Sequence, residues 1–529
     1  MELGRREGEV ENGDSNAVGA TPVAIAQLLA NATHQARSLN DLRAEAYALG
    51  QLGHLYETSR QWAEAERLTQ QALQIAQSIQ ADDVAVSWQR QLGRILKQQG
   101  QTSEAIASYT QAVDTLSVLR GDLVAINPDA QFSFREQVEP IYRELVQLLL
   151  ENAPTQANLQ RARSVIEALQ LAELNNFFRE ACLDVKPQQI DQADPNAAVI
   201  YSIILPDRLA VILSLPDRPL RYHFSELSSN SDPSDIDRVF DDLFATLNPF
   251  VTSSEPLRPH QQLYDWLIRP IEADLTASQV ETVVFVLDGV LRGVPLAALH
   301  DGQQYLIEKY SLAVTPGLQL LPPQALAPEE LGTLAGGLSE ARQGFAALPG
   351  VDREIQQIST LVPTVALVNQ DFTQTRLAEQ LESASFPIVH LATHGQFSSR
   401  AEDTFLLTWE GQIQVSDLDQ LLESRDRQNR RPIEILILSA CQTAAGDKRA
   451  ALGLAGVAVS SGARSTVATL WSVQDNSTAE LITHFYTALK QPGITRAEAL
   501  RQAQLSLLRS PDYQHPYYWA PFVLVGNWQ

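Results

Sequence analysis

Two short apolar runs, each ending at one reactive residue, constrain the fold of this chain most strongly. Residues 386–393 lead into His394-Gly395, and residues 433–440 lead into Cys441. Runs of this kind are typical of buried strands in a parallel sheet, where ligands bind beyond the carboxyl ends of the strands. Neighbouring strands lie about 4.8 Å apart, so residues that follow two adjacent strands can meet. A histidine beside a cysteine is the minimum that a thiolate nucleophile requires.

The segments around these runs alternate between strand and helix patterns. We predict strands at 333–338, 364–368, 386–393, 433–440, 464–470 and 518–525, a hairpin at 404–415, and helices at 351–361, 373–384, 450–461, 477–490 and 495–509. Strands that alternate with helices indicate a doubly wound α/β domain, here over residues 329–529. In this arrangement the third and fourth main strands carry His394 and Cys441.

A second α/β segment precedes this domain, at residues 187–328. It combines a predicted hairpin at 198–215, helices at 234–248 and 259–274, and a strand at 282–287. A proline-rich stretch at 321–328 marks its end. Because the segment contains no nucleophile, we interpret it as a supporting subdomain.

The N-terminal part of the chain repeats itself at an offset of 40 residues. Leu52-Gly53 recurs as Leu92-Gly93, and Ala65 recurs as Ala105. Small residues at these spacings lie where two antiparallel helices touch. This is the tetratricopeptide pattern, whose usual period is about 34 residues. Because the offset here is longer, we expect a longer connection between the helices. An ordinary bundle of amphipathic helices is the alternative.

We therefore predict an all-α solenoid of tetratricopeptide-like repeats over residues 21–120 and a helical connector over residues 121–186. An earlier half-copy at 28–38 indicates that the chain begins inside a repeat, and the polar leader at 1–20 is expected to be disordered. Repeats of this kind bind peptides or protein surfaces, so we expect a protein partner on them.

The composition excludes several classes of function. The 529 residues include only two cysteines, Cys182 and Cys441, which excludes a disulfide framework. With 39 basic and 63 acidic residues the formal net charge is −24, which argues against a nucleic-acid partner. No apolar stretch approaches the roughly 18 residues of a membrane span, and the first twenty residues do not resemble a signal peptide. We expect a cytoplasmic protein with no membrane partner.

Five strings of residues resemble a known family, the CHAT domain. They are His-Leu-Ala-Thr-His-Gly (390–395), Leu-Ser-Ala-Cys-Gln-Thr (438–443), Gly-Ala-Arg-Ser (462–465), Leu-Trp-Ser-Val-Gln-Asp (470–475) and His-Pro-Tyr-Tyr-Trp-Ala-Pro-Phe (515–522). The CHAT domain is a caspase-like peptidase domain associated with tetratricopeptide repeats, common in bacteria including filamentous cyanobacteria. The resemblance covers residues 190 to 529 approximately, and implies that residues 187–328 form a pseudo-caspase-like subdomain.

The resemblance implies cysteine endopeptidase chemistry that acts on a protein or peptide substrate and uses no cofactor. His394 and Cys441 stand at the positions of the family's dyad, and their separation of 47 residues is close to the caspase spacing of about 50. Cys441 would be the nucleophile and His394 the general base and later the acid. By resemblance to caspases, the backbone N–H groups of Gly395 and Cys441 would be the oxyanion donors. Gln442-Thr443 departs from the caspase pattern, so specificity for aspartate is not transferred.

Other residues near these strings allow more than one interpretation. Asp475 follows the predicted strand at 464–470, where its carboxylate would either bind a basic substrate side chain or cap the helix that begins near Ser477. His390 and His394 have a His-x-x-x-His spacing, but on a strand the two rings lie about 13 Å apart, so we expect no metal site. We interpret His515 as structural. A second hypothesis for the whole chain is a scaffold or signalling adaptor that binds proteins without cleaving them.

Overall fold

The computed structural model describes most of the chain. The described residues are 21–126, 137–151, 153–178, 194–227, 234–250, 254–315, 326–327, 330–415, 417–418, 421, 432–439, 441–443, 453, 456–458, 461–472 and 475–529. The chain divides into two compact units, Met1–Asp122 and Leu123–Gln529. The predicted leader at 1–20 lies outside the described residues, as does most of the predicted helix at 450–461.

The first unit is a row of antiparallel helices. These are α1 (Pro22–Ser38), α2 (Leu42–Thr58), α3 (Trp62–Ser78), α4 (Asp82–Gln98) and α5 (Thr102–Ile126). At the contact of α2 and α3, a Cβ added to Gly53 would lie 2.7 Å from the Thr69 hydroxyl. At the next pair, a Cβ added to Gly93 would lie 2.6 Å from the ring of Tyr109. The small residues therefore lie at helix contacts, as their spacing predicts.

Each of the first four helices ends in the same way. A residue with positive φ follows at 20-residue intervals: Asn40, Arg60, Gln80 and Gly100. The next N–H then bonds the carbonyl five residues back, as from Asp41 to Ala36 at 2.9 Å, which is the Schellman motif. Helices α1 to α4 have 17 residues each and are joined by only three. The prediction of a longer connection was wrong, because the additional length of the repeat lies in the helices.

The second unit is built on one large mixed sheet. Its strands in spatial order are β3 (Arg221–Glu226), β2 (Arg208–Ser214), β1 (Ala197–Ile204), β4 (Thr282–Val286), β5 (Ser311–Val314), β15 (Phe522–Gly526), β14 (Ser465–Thr469), β12 (Ile435–Leu438), β8 (Ile388–Ala392), β6 (Thr333–Gly337) and β7 (Thr364–Val368). The segments predicted as supporting and catalytic subdomains thus share a single sheet.

The helices of this unit flank the sheet or join its strands. They are α6 (Glu139–Leu149), α7 (Gln156–Phe178), α8 (Ser234–Thr246), α9 (Arg258–Leu267), α10 (Glu272–Ser278), α11 (Leu306–Lys309), α12 (Gly350–Leu361), α13 (Gln374–Ser383), α14 (Asp475–Leu489), α15 (Arg496–Arg509) and α16 (Pro516–Trp519). Strands buried on both faces and joined by helices make this an α/β unit of the predicted class.

Two elements differ from the sequence prediction because of proline. The helix predicted at 259–274 is divided into α9 and α10 by a 3₁₀ turn at Arg269–Ile271, since Pro270 cannot continue an α-helix hydrogen-bond ladder. The last strand begins at Phe522 instead of Tyr518, because Pro516 starts the short helix α16. Strands β3 and β5 were not predicted.

The two groups of parallel strands run in opposite directions. Strand β4 is parallel to β5, and β5 is parallel to β15, but β15 is antiparallel to β14. From β14 the direction is kept through β12, β8 and β6 to β7. The carboxyl ends of β4 and of β8 therefore lie at opposite edges of the sheet.

Neighbouring side chains pack closely against the glycines of strand β6. A Cβ on Gly336 would lie 2.3 Å from the ring of Phe372, and one on Gly337 would lie 2.4 Å from Ile355 of α12. These glycines let neighbouring side chains approach the backbone of β6.

Candidate active site

The backbone around His394 is fixed by hydrogen bonds to Leu407. His394 is the second residue after β8 and directly precedes a short strand, β9 (Gly395–Phe397). Its carbonyl accepts a hydrogen bond from Leu407 N at 2.8 Å, and the buried Thr393 hydroxyl donates to Leu407 O at 2.7 Å. The histidine is thus held at a defined point beyond the end of β8.

A second sheet carries both predicted dyad positions. It has the order β11 (Gln412–Gln414), β10 (Phe405–Leu407), β9 and β13 (Cys441–Thr443). Strands β9 and β13 are parallel, and Cys441 is paired with Gly395. Strands β8 and β12, which lead into them, are neighbours in the large sheet. The backbone of Cys441 therefore lies beside the residue that follows His394, while the Cys441 side chain lies outside the described residues.

The imidazole of His394 has a defined orientation. Its Nε2 lies 2.8 Å from the carbonyl oxygen of Ala346, and the ring is partly exposed. A carbonyl oxygen only accepts hydrogen bonds, so Nε2 carries the proton in this contact. In the neutral ring, Nδ1 then has the lone pair and is the nitrogen that can accept a proton. The ring of Phe345 packs on the imidazole, with centroids 5.1 Å apart.

Phe345 and Ala346 belong to a small hairpin that the sequence analysis missed. Arg342 and Phe345 exchange backbone hydrogen bonds of 3.2 and 2.8 Å. Gln343 and Gly344 between them have φ values of 48° and 87°, and two positive φ values in a two-residue turn are typical of a type I′ hairpin. Glycine at the second turn position was the one available sequence signal.

The other predicted site residues have mixed placements. Gly395 is buried as the first residue of β9, beside Cys441 and Leu406. Asp475 is the first residue of α14, which begins two residues earlier than predicted, and its side chain lies outside the described residues. His515 accepts a hydrogen bond from Tyr517 N at the start of α16, and burial lowers the pKa of its imidazole. This contact is structural.

His390 is buried and has partners for both ring nitrogens. Nε2 lies 2.8 Å from Oε1 of Glu354, and Nδ1 lies 3.3 Å from the hydroxyl of Tyr486. Burial raises the pKa of Tyr486 well above its ordinary value, so the hydroxyl stays protonated. His390 is the middle residue of β8 and its side chain is fully buried, so it is a core residue that does not reach the surface beside His394.

Gly453, one of the described residues after Cys441, closely approaches the segment that follows His394. A Cβ added to Gly453 would lie 2.3 Å from the carbonyl oxygen of Ser398. Only glycine permits this approach without a backbone shift. Gly453 is therefore a second contact, besides the β9–β13 pairing, between the two segments.

Trp471, beyond the end of β14, has packing and polar contacts. Its ring meets Phe244 edge to face with centroids 5.7 Å apart, and its indole N–H donates to Tyr517 O at 3.2 Å. The side chain is partly buried against the core of the unit. Both contacts indicate that Trp471 is a packing residue.

Within the part of the chain that the structure describes, no three or more histidine, cysteine, aspartate or glutamate side chains are grouped so as to hold a metal ion. Every helix in the same residues is too short or too polar to span a bilayer.

These features define a class of protein: a doubly wound α/β unit with a histidine and a cysteine at one strand edge, in one chain with helical repeats. A CHAT domain model matches residues 257–527, and a tetratricopeptide repeat model matches residues 44–117. The chain belongs to the CHAT domain family. The match begins later than the residue 190 that the sequence strings indicated, so β1 to β3 share the sheet but lie outside the matched region.

Two curated relatives each match about half of the chain. Tetratricopeptide repeat protein 28 of Homo sapiens is 24% identical over 339 residues, which is 52% of this chain and 14% of the relative. The Mus musculus protein of the same name is 26% identical, with the same coverage. The chain thus spans 14% of the length of these relatives.

Two solved structures align with this chain at low similarity. The Saccharomyces cerevisiae separase–securin complex aligns with a TM-score of 0.40 and 10% identity, covering 96% of this chain and 50% of that chain. The pro- and mature domains of Porphyromonas gingivalis RgpB align with a TM-score of 0.35 and 8% identity, covering 55% and 76%.

Proposed function

We propose that this protein is a cysteine endopeptidase with His394 and Cys441 as its catalytic dyad. The observation that carries the proposal is the pairing of Cys441 with Gly395, directly beside a histidine whose Nε2 is committed to Ala346 O. In this proposal Nδ1, which carries no proton in the neutral ring, accepts the proton of the Cys441 thiol.

The proposed reaction uses these residues in four steps. His394 Nδ1 takes the thiol proton, and the Cys441 thiolate attacks the peptide carbonyl carbon to form a tetrahedral intermediate. The N–H groups of Gly395 and Cys441 stabilise its oxyanion, each worth about 3 kcal/mol. The intermediate collapses as His394 gives its proton to the leaving amine. Water, deprotonated by His394, then hydrolyses the thioester and releases the acid and the free thiol.

The carbonyl of Ala346 has a supporting role in these steps. It fixes the tautomer of the neutral ring, and it stabilises the imidazolium that forms after the first proton transfer, as an orienting acceptor does in other His-dependent enzymes. Asp475, the first residue of α14, is proposed to pair with a basic substrate side chain. Asp475→Asn would then slow cleavage after basic residues and leave Cys441 alkylation unchanged.

We also propose that the repeats of the first unit recruit or gate the substrate, and that the protein acts in the cytoplasm. Helical repeats bind proteins through extended surfaces, and a chain with two cysteines does not depend on an oxidising compartment.

The test is cleavage of protein substrates with mapping of the new N-termini. Proteins from a cell extract are incubated with the wild-type chain, Cys441→Ala, His394→Ala and, as a matched control, Cys182→Ala. The proposal requires new termini with the wild type and Cys182→Ala that are absent with the two dyad variants. Equal patterns in all four samples, together with unchanged cellular function of Cys441→Ala, would favour the scaffold hypothesis instead.

A further inference from the structure

Arg342, in the hairpin beside His394, is attached to a single tryptophan by two kinds of contact. Its guanidinium carbon lies 3.6 Å from the ring centroid of Trp409. Its Nε and Nη2 also donate to the carbonyl oxygen of Trp409 at 3.3 and 3.1 Å. Stacking combined with a two-pronged hydrogen bond uses the planar shape of arginine, which lysine lacks.

Trp409 lies in the turn between β10 and β11, the strands of the second sheet. Its backbone N–H donates to Phe372 O at 3.0 Å, which fixes the turn from outside that sheet. Strand β10 pairs with β9, and β9 pairs with β13 at Cys441. Arg342 is therefore connected through Trp409 to the sheet that carries the Cys441 backbone.

The same hairpin holds the imidazole of His394. The segment that leads into the hairpin is held by Asn369, which has a φ of 51°. The Asn369 Oδ1 accepts hydrogen bonds from Ser339 N at 2.9 Å and from Glu340 N at 3.2 Å. Asn369 fixes the start of the hairpin segment, whereas Arg342 fixes the hairpin itself. Nothing lies within 4 Å of a Cβ built on Gly344, so the space around this tip position is open.

We propose that Arg342 is a positioning residue for the His394–Cys441 pair. Through Phe345 and Ala346 the hairpin sets the orientation of His394, and through Trp409 it is registered on the sheet that carries Cys441. Loss of the Arg342–Trp409 contact would let Ala346 O move relative to Nε2 and misdirect Nδ1. The inference rests on the proposed function, because it explains how the proposed dyad is aligned.

The test is the rate of Cys441 alkylation against pH in the full chain, with iodoacetamide as the probe and mass spectrometry as the readout. The variants are Arg342→Lys, Trp409→Ala, which removes the aromatic face, and Trp409→Phe, which keeps one; the backbone carbonyl of residue 409 is present in all of them. Arg376→Lys is the matched control, since Arg376 pairs with Asp371 on the exposed surface. Thermal unfolding of every variant establishes that it is folded.

We expect Arg342→Lys and Trp409→Ala to raise the apparent pKa of Cys441 and to slow its alkylation at pH 7 by about tenfold or more, since small misplacements cost that much. Trp409→Phe should recover most of the rate, and Arg376→Lys should match the wild type. Folded Arg342→Lys and Trp409→Ala proteins with wild-type profiles would overturn the inference alone, provided that His394→Ala slows the reaction. If His394→Ala also reacts like the wild type, the proposed dyad itself fails.

Discussion

The two groups of parallel strands end in contrasting ways at opposite edges of one sheet. Beyond β4, Asp288 is 2% exposed and receives two hydrogen bonds from Arg143 of α6, at 2.8 and 2.9 Å. Beyond β8, His394 is partly exposed and has one ring nitrogen bound to Ala346 O. The first edge is closed by an ion pair, whereas at the second edge we propose that Nδ1 of His394 serves as a proton acceptor.

The closed edge is reinforced by further contacts with the connector helices. Ile204 N donates to Asp288 at 2.9 Å, Arg292 pairs with Glu173 of α7, and Gln170 donates to Leu287 O at 3.0 Å. Burial alone would raise the pKa of Asp288, but Arg143 outweighs this effect and holds the pKa below its ordinary value. At the carboxyl end of β4, a helix supplies the arginine that pairs with the buried aspartate, and the contact stabilises the fold. At the carboxyl end of β8, the polar side chain stays partly exposed, and we treat it as a candidate reactive group.

The largest expected effect breaks the closed edge. Asp288→Ala removes the carboxylate that holds both ends of the Arg143 guanidinium, which keeps its contact with Glu139 through Nε, and takes the acceptor from Ile204 N, so it should lower the free energy of unfolding of the second unit by about 3–5 kcal/mol. Denaturant unfolding measures this change. Asp371→Ala, which breaks the exposed pair with Arg376, is the control and should cost about 1 kcal/mol or less. A loss of that small size for Asp288→Ala would contradict the structural role of the closed edge.

The pH dependence of stability tests the effect of burying an imidazole, here that of His260. His260 is 2% exposed, and burial lowers its pKa from 6.5 to about 4. The unfolded chain therefore binds more protons between pH 6.5 and 4, so stability should fall by about 3 kcal/mol as the pH falls through this range and level off below it. Urea midpoints at pH 7 and pH 4.5 measure the effect, and His260→Gln should reduce the difference. An unchanged pH dependence in that variant would assign it to other groups.

A smaller effect is expected at the close approach beside the candidate site. Gly453→Ala should clash with the Ser398 carbonyl, lower stability by about 1–3 kcal/mol and slow Cys441 alkylation. Gly411→Ala is the matched control, since nothing lies within 4 Å of a Cβ there. Equal unfolding midpoints and alkylation rates for the two variants would show that the approach of the two segments does not need glycine.

The smallest expected change in stability compares a largely buried carboxylate of the repeats with an exposed one. Glu57 accepts hydrogen bonds from Arg94 at 2.7 and 2.9 Å and lies 2.9 Å from His54. Burial alone would raise its pKa, but these partners lower it to about 2. Its stabilisation is thus complete above pH 4.5 and is lost as the pH falls towards 2.

Glu57→Gln should therefore cost about 1 kcal/mol at pH 7, read from helix unfolding by circular dichroism. Glu64→Gln breaks only the exposed pair with Arg67 and should cost almost nothing. If the two variants are equally stable, enclosure of the charge makes no difference in the repeats.

Sequence patterns predicted the elements with strong periodicity or clear punctuation. The strand at 364–368 has the bounds predicted, and the helix predicted at 373–384 is α13 (Gln374–Ser383). These segments combine a local hydrophobic pattern with a distinct start and end, so little tertiary information is needed to find them.

The features that were missed depend on distant partners. Strands β9 and β13 have three residues each, and they exist because one pairs with the other across more than forty residues of chain. The contact between Ala346 and His394 spans 48 positions and uses a backbone carbonyl, which has no sequence signature. The reversal of direction at β15 is equally invisible, because strand periodicity does not specify the neighbour. Local pattern thus indicated which residues to consider, while long-range pairing determines their geometry.

The central claim is that His394 activates Cys441, and the alkylation rate of Cys441 against pH tests it most directly, without any substrate. Cys182 in the same molecule serves as the internal control, and His394→Ala is the comparison. We predict an apparent pKa of the Cys441 thiol well below the ordinary value of about 8.5, which returns towards 8.5 in His394→Ala while Cys182 is unaffected. A Cys441 that reacts as slowly as an ordinary thiol, with the same pH profile in both proteins, would contradict the claim.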